Sequence, residues 1–241
     1  MNSLIVVAHA DDETIAASCL LAAQPESITI LHTTNSAPRN SKYYLRAGFA
    51  TGEAYAASRR QEFLDAMKIV SIGPNQCLVL PVADQDAVME LPQLITAVRA
   101  LLPVDRILTH AYEGGHPDHD ATALAVALAA GPTPVFEYPG YHAFGAPLVA
   151  SVFLDHPEKP PLEHQYLSDA DTARKHAMFA CFPSQRHVFD RFSITEEQLR
   201  PAPKYNFLLP PHPGVLYYET RDMGITYPQW REHARAVLGA A

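Results

Sequence analysis

Alternation restricts this chain more than any other feature. Over its first 140 residues, short β-branched runs are followed repeatedly by longer segments with helical spacing. Leu4–Val7 reads as a buried strand, and Asp12–Ala23 as a helix that Pro25 stops. Ser27–Thr33 reads as a second strand, and residues 34–50 as a long loop rich in Asn, Ser, Pro and Gly. A helix over residues 51–70 would place Phe63, Leu64, Met67 and Val70 on one stripe. Further strands are expected at Gln76–Leu80, Arg106–Thr109 and Val135–Tyr138. Helices are expected at Leu91–Leu102, with Pro92 in its first turn, and from Asp118 or His119 to Ala130. Strand–helix alternation at this spacing builds βαβ units, so the fold class is α/β with a mostly parallel sheet.

The last 110 residues differ. Fourteen of the 21 prolines fall between Pro132 and Pro228, which leaves room for few regular elements. Those expected are a helix near Asp169–Cys181, boxed by Ser168 and Asp171, and a terminal helix near Tyr227–Leu238 that packs through Trp230 and Val237. No linker or repeat interrupts the chain. The reading is therefore one domain over residues 1–241, with a core of about 3–140 and an irregular, Pro-rich C-terminal elaboration over about 141–241.

Composition narrows the function. At 48% apolar residues, 241 residues can bury a sizeable core. Eighteen basic against 26 acidic residues leave a net charge of −8, which argues against a nucleic-acid footprint. Cys19, Cys77 and Cys181 are odd in number and far apart, so they read as reduced thiols. The apolar run Leu4–Ala8 lacks the basic flank of a signal peptide, and no stretch reaches the roughly 18 apolar residues of a membrane span. The expected address is the cytoplasm.

Two segments concentrate chemistry. Ala8–Glu13 places His9, Asp11, Asp12 and Glu13 where the first strand gives way to a helix. Helix capping accounts for Asp11 or Asp12 but not for His9 with both acids. Tyr112–Asp120 follows the strand Arg106–Thr109 and carries His116 and His119, stiffened by Pro117 and interleaved with acids. Ligands of open α/β sheets collect at such strand ends. Together the segments offer His, Asp and His donors, a set suited to Zn²⁺ with an open position, on which the pKa of a bound water falls to about 7. A carboxylate and a histidine remain to take a proton and to steady an oxyanion, as amide hydrolysis requires. Spacing alone does not say which of Asp11 and Asp12 is ligand and which is base. No GxGxxG, P-loop or GxSxG pattern occurs, so nothing points to redox, phosphoryl-transfer or serine-hydrolase chemistry.

The sequence AHADDE at residues 8–13, with HPDH at 116–119, resembles the PIG-L / LmbE-like family of zinc-dependent N-deacetylases. That family pairs AHPDDE after its first strand with HPDH before a later helix. Ser58–Met67, with Arg59 and Glu62, looks like its RxxE helix, and Leu80–Asp84 is a weaker match. The likeness covers residues 3–140 and implies a Rossmann-like, LmbE-like sheet with helices on both faces. It also implies that His9, Asp12 and His119 bind zinc or another divalent metal, and that Asp11 is the general base. His116 would be the acid and oxyanion-stabilising group, poised by Asp118. Arg59 would bind substrate at a sugar hydroxyl or phosphate, and Asp84 would be a second contact. The implied partner is a small-molecule N-acylated amino sugar or related metabolite, with no nucleic acid and no membrane. A non-sugar N-acyl amine or conjugate would use the same chemistry, whereas a non-catalytic binding protein would need neither Asp11 nor His116. Two departures stand out. Ala10 replaces the motif proline, which frees φ and loosens the loop. Gln85-Asp86 replaces the glycine that usually follows Asp84.

Other residues carry weaker readings. Arg59 and Glu62 as a surface ion pair would be worth only tenths of a kcal/mol. Arg60 is expected to face solvent. Tyr138, Tyr141, His142 and Glu113 fall near the site, and Gly114 and Gly115 would let backbone approach it closely. Ser184–His187 and His212 are candidates to reach the pocket from the C-terminal part. His32, His110 and His233 read as structural or surface residues, although His110 ends a strand just ahead of the HPDH loop. The Pro-rich region would suit packing in a homo-oligomer.

Overall fold

The computed structural model describes residues 1–221 and 223–239. The chain runs β1 (Ser3–Val7), α1 (Asp12–Ala23), β2 (Ile28–His32), α2 (Ser41–Arg46), α3 (Gly52–Ile69), β3 (Cys77–Val79), α4 (Leu91–Ala100), β4 (Arg106–His110), α5 (Pro117–Ala129) and β5 (Val135–Tyr138). A hairpin of β6 (Tyr141–His142) and β7 (Val149–Ala150) follows. The remainder is β8 (Glu163–Tyr166), α6 (Asp169–Ala180), α7 (Arg186–Phe189), β9 (Glu196–Pro201), α8 (Tyr217–Thr220) and α9 (Tyr227–Leu238).

Every residue of β1 is buried, because helices cover both faces of the sheet. Leu4 and Val6 enter one core with Leu94 and Val98 of α4, Leu124 of α5 and Trp230 of α9. Ile5 and Val7 enter a second core with Ala16 and Leu21 of α1, Phe63 and Met67 of α3, and Met178 of α6. Seven strands lie in the order β3-β2-β1-β4-β5-β9-β8, parallel from β3 to β5 and antiparallel at β9 and β8. From β1 the chain proceeds outward to β2, and from β4 it proceeds the other way to β5. The strand order therefore reverses between β1 and β4, and the loops after these two strands flank the crevice where α/β sheets bind ligands. Among the described residues, no helix is long and apolar enough to cross a membrane.

Three expectations need correction. Residues 34–50 are not all loop, since they contain α2, capped by Asn40 Oδ1 accepting from Lys42 N at 3.1 Å. None of its residues is buried, so no apolar stripe announced it. Helix α5 starts at Pro117, and His116 is its N-cap, accepting from Asp118 N through Nδ1. The C-terminal part is also less irregular than its prolines imply, because β9 and β8 extend the sheet.

The sequence of β9, EEQLRP, hides its register because its buried side chains are charged. Arg200 pairs with Glu137 on β5 at 2.7 Å. Glu197 repairs a break in α1 at Ala17, taking Ser18 N at 2.8 Å and Cys19 N at 3.3 Å. Lys175 of α6 then donates to Glu197 Oε1 at 3.0 Å and to Ile15 O at 2.8 Å.

Candidate active site

The β1–α1 loop is held at its start by His110 at the end of β4, whose Nε2 accepts from Ala8 N at 2.9 Å. Ala10 N donates to Ser36 Oγ at 2.8 Å, a bond the motif proline could not make. The expected loosening is thus offset. Asp11 adopts φ 143°, a conformation that costs a non-glycine residue about 1–3 kcal/mol and marks functional turns.

Beyond this turn the first and second motifs meet. His9 Nδ1 lies 3.3 Å from Asp12 Oδ2 and 3.3 Å from His119 Nε2, and His119 Nε2 lies 3.5 Å from Asp12 Oδ1. Donors on a tetrahedral ion with bonds of about 2.0–2.1 Å sit about 3.3–3.4 Å apart. The carboxylate offers one oxygen to each imidazole. Among the described residues, three overlapping groups have donors within 4.8 Å of one another: His9, His116 and His119; His9, Asp84, His116 and Asp118; and Asp12, His110 and His119.

Hydrogen bonds separate these candidates. His110 spends its Nε2 lone pair on Ala8 N–H, and its Nδ1 faces Tyr138 Oη at 2.8 Å. His116 spends its Nδ1 lone pair on Asp118 N–H at 3.2 Å, which leaves Nε2 as the N–H. His9 Nε2 faces Asp118 Oδ2 at 3.2 Å, the carboxylate partner that typically orients a ligating imidazole, so its Nδ1 is free to ligate. His9 Nδ1 and His119 Nε2 both face the Asp12 carboxylate, an arrangement that joins members of the first and third groups.

Electrostatics point the same way. Burial opposes a charge on His9, but Asp84, Asp118 and Asp12 outweigh it and raise its proton affinity well above the ordinary value. A site that favours a proton in this way also favours a metal cation. Burial, with His110 beside it, holds His119 well below its usual range, and burial also lowers His116 and His110. Burial would raise Asp12, but His119 and His110 keep it well below the carboxylate range. Burial pushes Asp11 up to about 7, against the pull of Arg59.

Several expected residues stand in unexpected places. Arg59 is buried, with Nη2 on Asp11 Oδ2 at 2.9 Å and on Ala10 O, and Nη1 on Glu62 Oε2 at 3.0 Å. The Arg59–Glu62 pair is thus interior, and the first partner of Arg59 is Asp11, although it also lines the cavity. Arg60 is half-buried and donates to Cys77 O at 2.6 Å. The Asp118 carboxylate lies 3.8 Å from His116 Nδ1 and bonds instead to His9, Gln85 N and Ala87 N. Asp84 is the carboxylate nearest His116 Nε2, at 3.4 Å, and its Oδ1 is also 3.3 Å from His9 Nε2. His110, read from the sequence as a structural or surface residue, stacks on His119 at 3.9 Å with an interplanar angle of 16°. Its position at the end of β4 was the available signal.

A cavity of about 590 Å³ opens over these residues, a size suited to a small molecule. Its floor is His9, Asp11, Asp12, Asp84, His116 and His119. Tyr43, Tyr55, Tyr141, Phe192 and Tyr217 give it aromatic walls, and Ser184, Gln185 and His187 line it as expected. Gly115 packs so closely on Tyr141 that a Cβ would collide with the Tyr141 carbonyl oxygen. Glu113 accepts from Gly140 N at 2.8 Å, while His212 turns away toward Phe144.

The profile of the PIG-L family, described as GlcNAc-PI de-N-acetylase, matches residues 4–130. The chain belongs to the PIG-L family. Comparison with curated sequences finds no match. Among solved structures, a zinc-inhibited form of teicoplanin deacetylase aligns with TM-score 0.65 and 14% identity, over 86% of this chain and 99% of that one. An N,N′-diacetylchitobiose deacetylase from Pyrococcus horikoshii aligns with TM-score 0.54 and 14% identity, over 82% and 83%. A 4-carboxy-2-hydroxymuconate hydratase from Pseudomonas putida aligns with TM-score 0.54 and 17% identity, over 86% and 98%. The PIG-L chain thus has the LmbE-like α/β fold of deacetylases. A hydratase shares that fold, so the reaction must be argued from the site.

Proposed function

We propose that this chain is a metal-dependent N-deacetylase that removes an N-acetyl or other N-acyl group from an amino sugar or related small metabolite. His9, Asp12 and His119 would hold Zn²⁺ or another divalent ion, which supplies Lewis-acid polarisation of the carbonyl and a more acidic water. One observation carries the reading: the two imidazole lone pairs and the Asp12 carboxylate converge within 3.3–3.5 Å, with Asp11 and His116 left over at the same cavity floor. Merely holding a metal would need neither of them.

Arg59 occupies Asp11 Oδ2, so Oδ1 takes the proton of the attacking water. A proton affinity near 7 suits a base working at neutral pH. As a C–O bond forms, His116 Nε2–H donates to the developing oxyanion. The acid role implied for His116 would need a proton on Nδ1, where it instead accepts Asp118 N–H. Asp11 therefore returns its proton to the nitrogen, the C–N bond breaks, and amine and carboxylate separate.

The substrate is a small molecule, since the buried side chains of the floor are reached through a cavity of about 590 Å³ with aromatic walls. Residues 1–241 act as one deacetylase domain, because β9 and β8 complete the sheet and the α6–β9 segment lines the cavity. The three free cysteines fit a cytoplasmic enzyme. The test is a screen of N-acyl sugars and N-acyl amines for released acid, using zinc-reconstituted protein. Release from an N-acetyl amino sugar is expected; intact, metal-loaded protein that releases none from any amide would overturn the reading.

A further inference from the structure

The exposed rim of the cavity carries basic side chains. Arg46 on α2, His187 on α7 and Arg191 just beyond it all line the cavity, and all three are exposed. Among the described residues, neither Arg46 nor Arg191 forms an ion pair, whereas the buried Arg59 of the same cavity does. Arg191 donates to Tyr217 Oη at 3.4 Å, a second cavity residue. His187 registers the local field: burial lowers its proton affinity, and Arg191, Arg46 and Arg59 lower it further against Asp190. A chain of net charge −8 has a negative average field, so this positive mouth is a local arrangement. Guanidinium groups present paired N–H donors that match phosphate and carboxylate oxygens.

We propose that Arg46 and Arg191 form an oxyanion subsite at the cavity mouth, and that the natural substrate carries a phosphate or carboxylate remote from its acyl amide. The proposal rests on the reading of the floor as the place of amide hydrolysis. Neither arginine belongs to the motifs that build the floor. The floor then selects the bond to be broken, and the mouth selects among molecules that contain it.

The test uses the zinc-loaded Asp11→Asn protein and calorimetric binding of three probes: N-acetylglucosamine, a phosphate monoester of it and a lactyl ether of it bearing a carboxylate. At least one anionic probe should bind about tenfold tighter than the neutral sugar, and the larger ratio identifies the anion. In the added double variant Arg46→Gln/Arg191→Gln that ratio should fall toward one, and Arg46→Glu/Arg191→Glu should invert it. High salt should compress it as well. Both side chains are exposed, and matched thermal melts establish that the variants fold. A ratio near one in the parent protein, a ratio that the double substitution leaves in place, or no measurable binding of either anionic probe overturns the subsite. Failure of hydrolysis is separate: it appears as absent acid release from all three probes by unsubstituted protein, whatever the binding ratio.

Discussion

Arg59 reaches Asp11 from inside the protein, its Nη2 lying 2.9 Å from Asp11 Oδ2 with both side chains almost closed to solvent. The guanidinium favours the charged carboxylate and so offsets part of the burial that lifts Asp11 to about 7. Hydrolysis should therefore rise with pH as Asp11 loses its proton. Arg59→Gln removes the favourable charge, so the acid limb should move to higher pH and kcat should fall by roughly 10²-fold. A pH profile of kcat/KM checks this, and an unmoved limb would reduce Arg59 to a packing residue.

Base and ligands should separate in metal analysis. Asp11→Asn should cut hydrolysis by roughly 10²–10⁴-fold and keep about one equivalent of zinc. His9→Ala and His119→Ala should lose the zinc as well as the activity. Comparable zinc loss in Asp11→Asn would show that the two aspartates exchange roles.

His110 touches both motifs, through Ala8 N at 2.9 Å and through its stack on His119. His110→Phe can retain a stacking ring but cannot accept the amide hydrogen. Metal affinity should fall about 10–100-fold, the usual cost of losing a group that orients a ligand. Competition with a chelator measures it, and unchanged affinity would confine His110 to packing.

Gln85 has φ +78°, in the region that disfavours side chains and suits glycine. Its N–H donates to Asp118 Oδ2 at 2.6 Å, and a glycine would retain that bond. Gln85→Gly removes about 1–2 kcal/mol of strain and adds about 0.5–1 kcal/mol of chain entropy cost. The net gain should be about 0–1.5 kcal/mol, or up to roughly 3–6 °C in Tm for a chain of this size. A lower Tm would mean that the Gln85 side chain contributes contacts of its own.

Asp120 holds the loop before α5, accepting Glu113 N and Gly114 N at 3.1 Å each through Oδ1. Burial raises its pKa to about 7 despite these bonds. The folded state then binds more protons than the unfolded state between about pH 4 and 7. This contribution to stability is complete at low pH and is lost as pH rises through about 7. Asp120→Asn keeps an accepting oxygen and cannot ionise, so denaturant titrations should show a flatter stability profile above pH 4. An unchanged slope would place the Asp120 titration elsewhere.

The βαβ order, the parallel sheet and the two motif-bearing strand ends were legible because each rests on local rules. A strand covered on both faces is apolar throughout, as Leu4–Val7 is, and a helix declares itself by its stripe, as Phe63 and Met67 do. The residues of AHADDE and HPDH were visible because clustered charge at a helix mouth is costly. Helix α2 and strand β9 were not, since one buries nothing and the other buries charges whose partners lie far away in the chain. The sequence by itself determined the class of fold and the chemical groups available. Only the tertiary structure decided their pairings: Asp118 with His9, Arg59 with Asp11, and His110 against His119. These depend on distances of a few ångströms between segments about 50 to 110 residues apart or stacked across one strand end, and no periodicity within a segment encodes such distances.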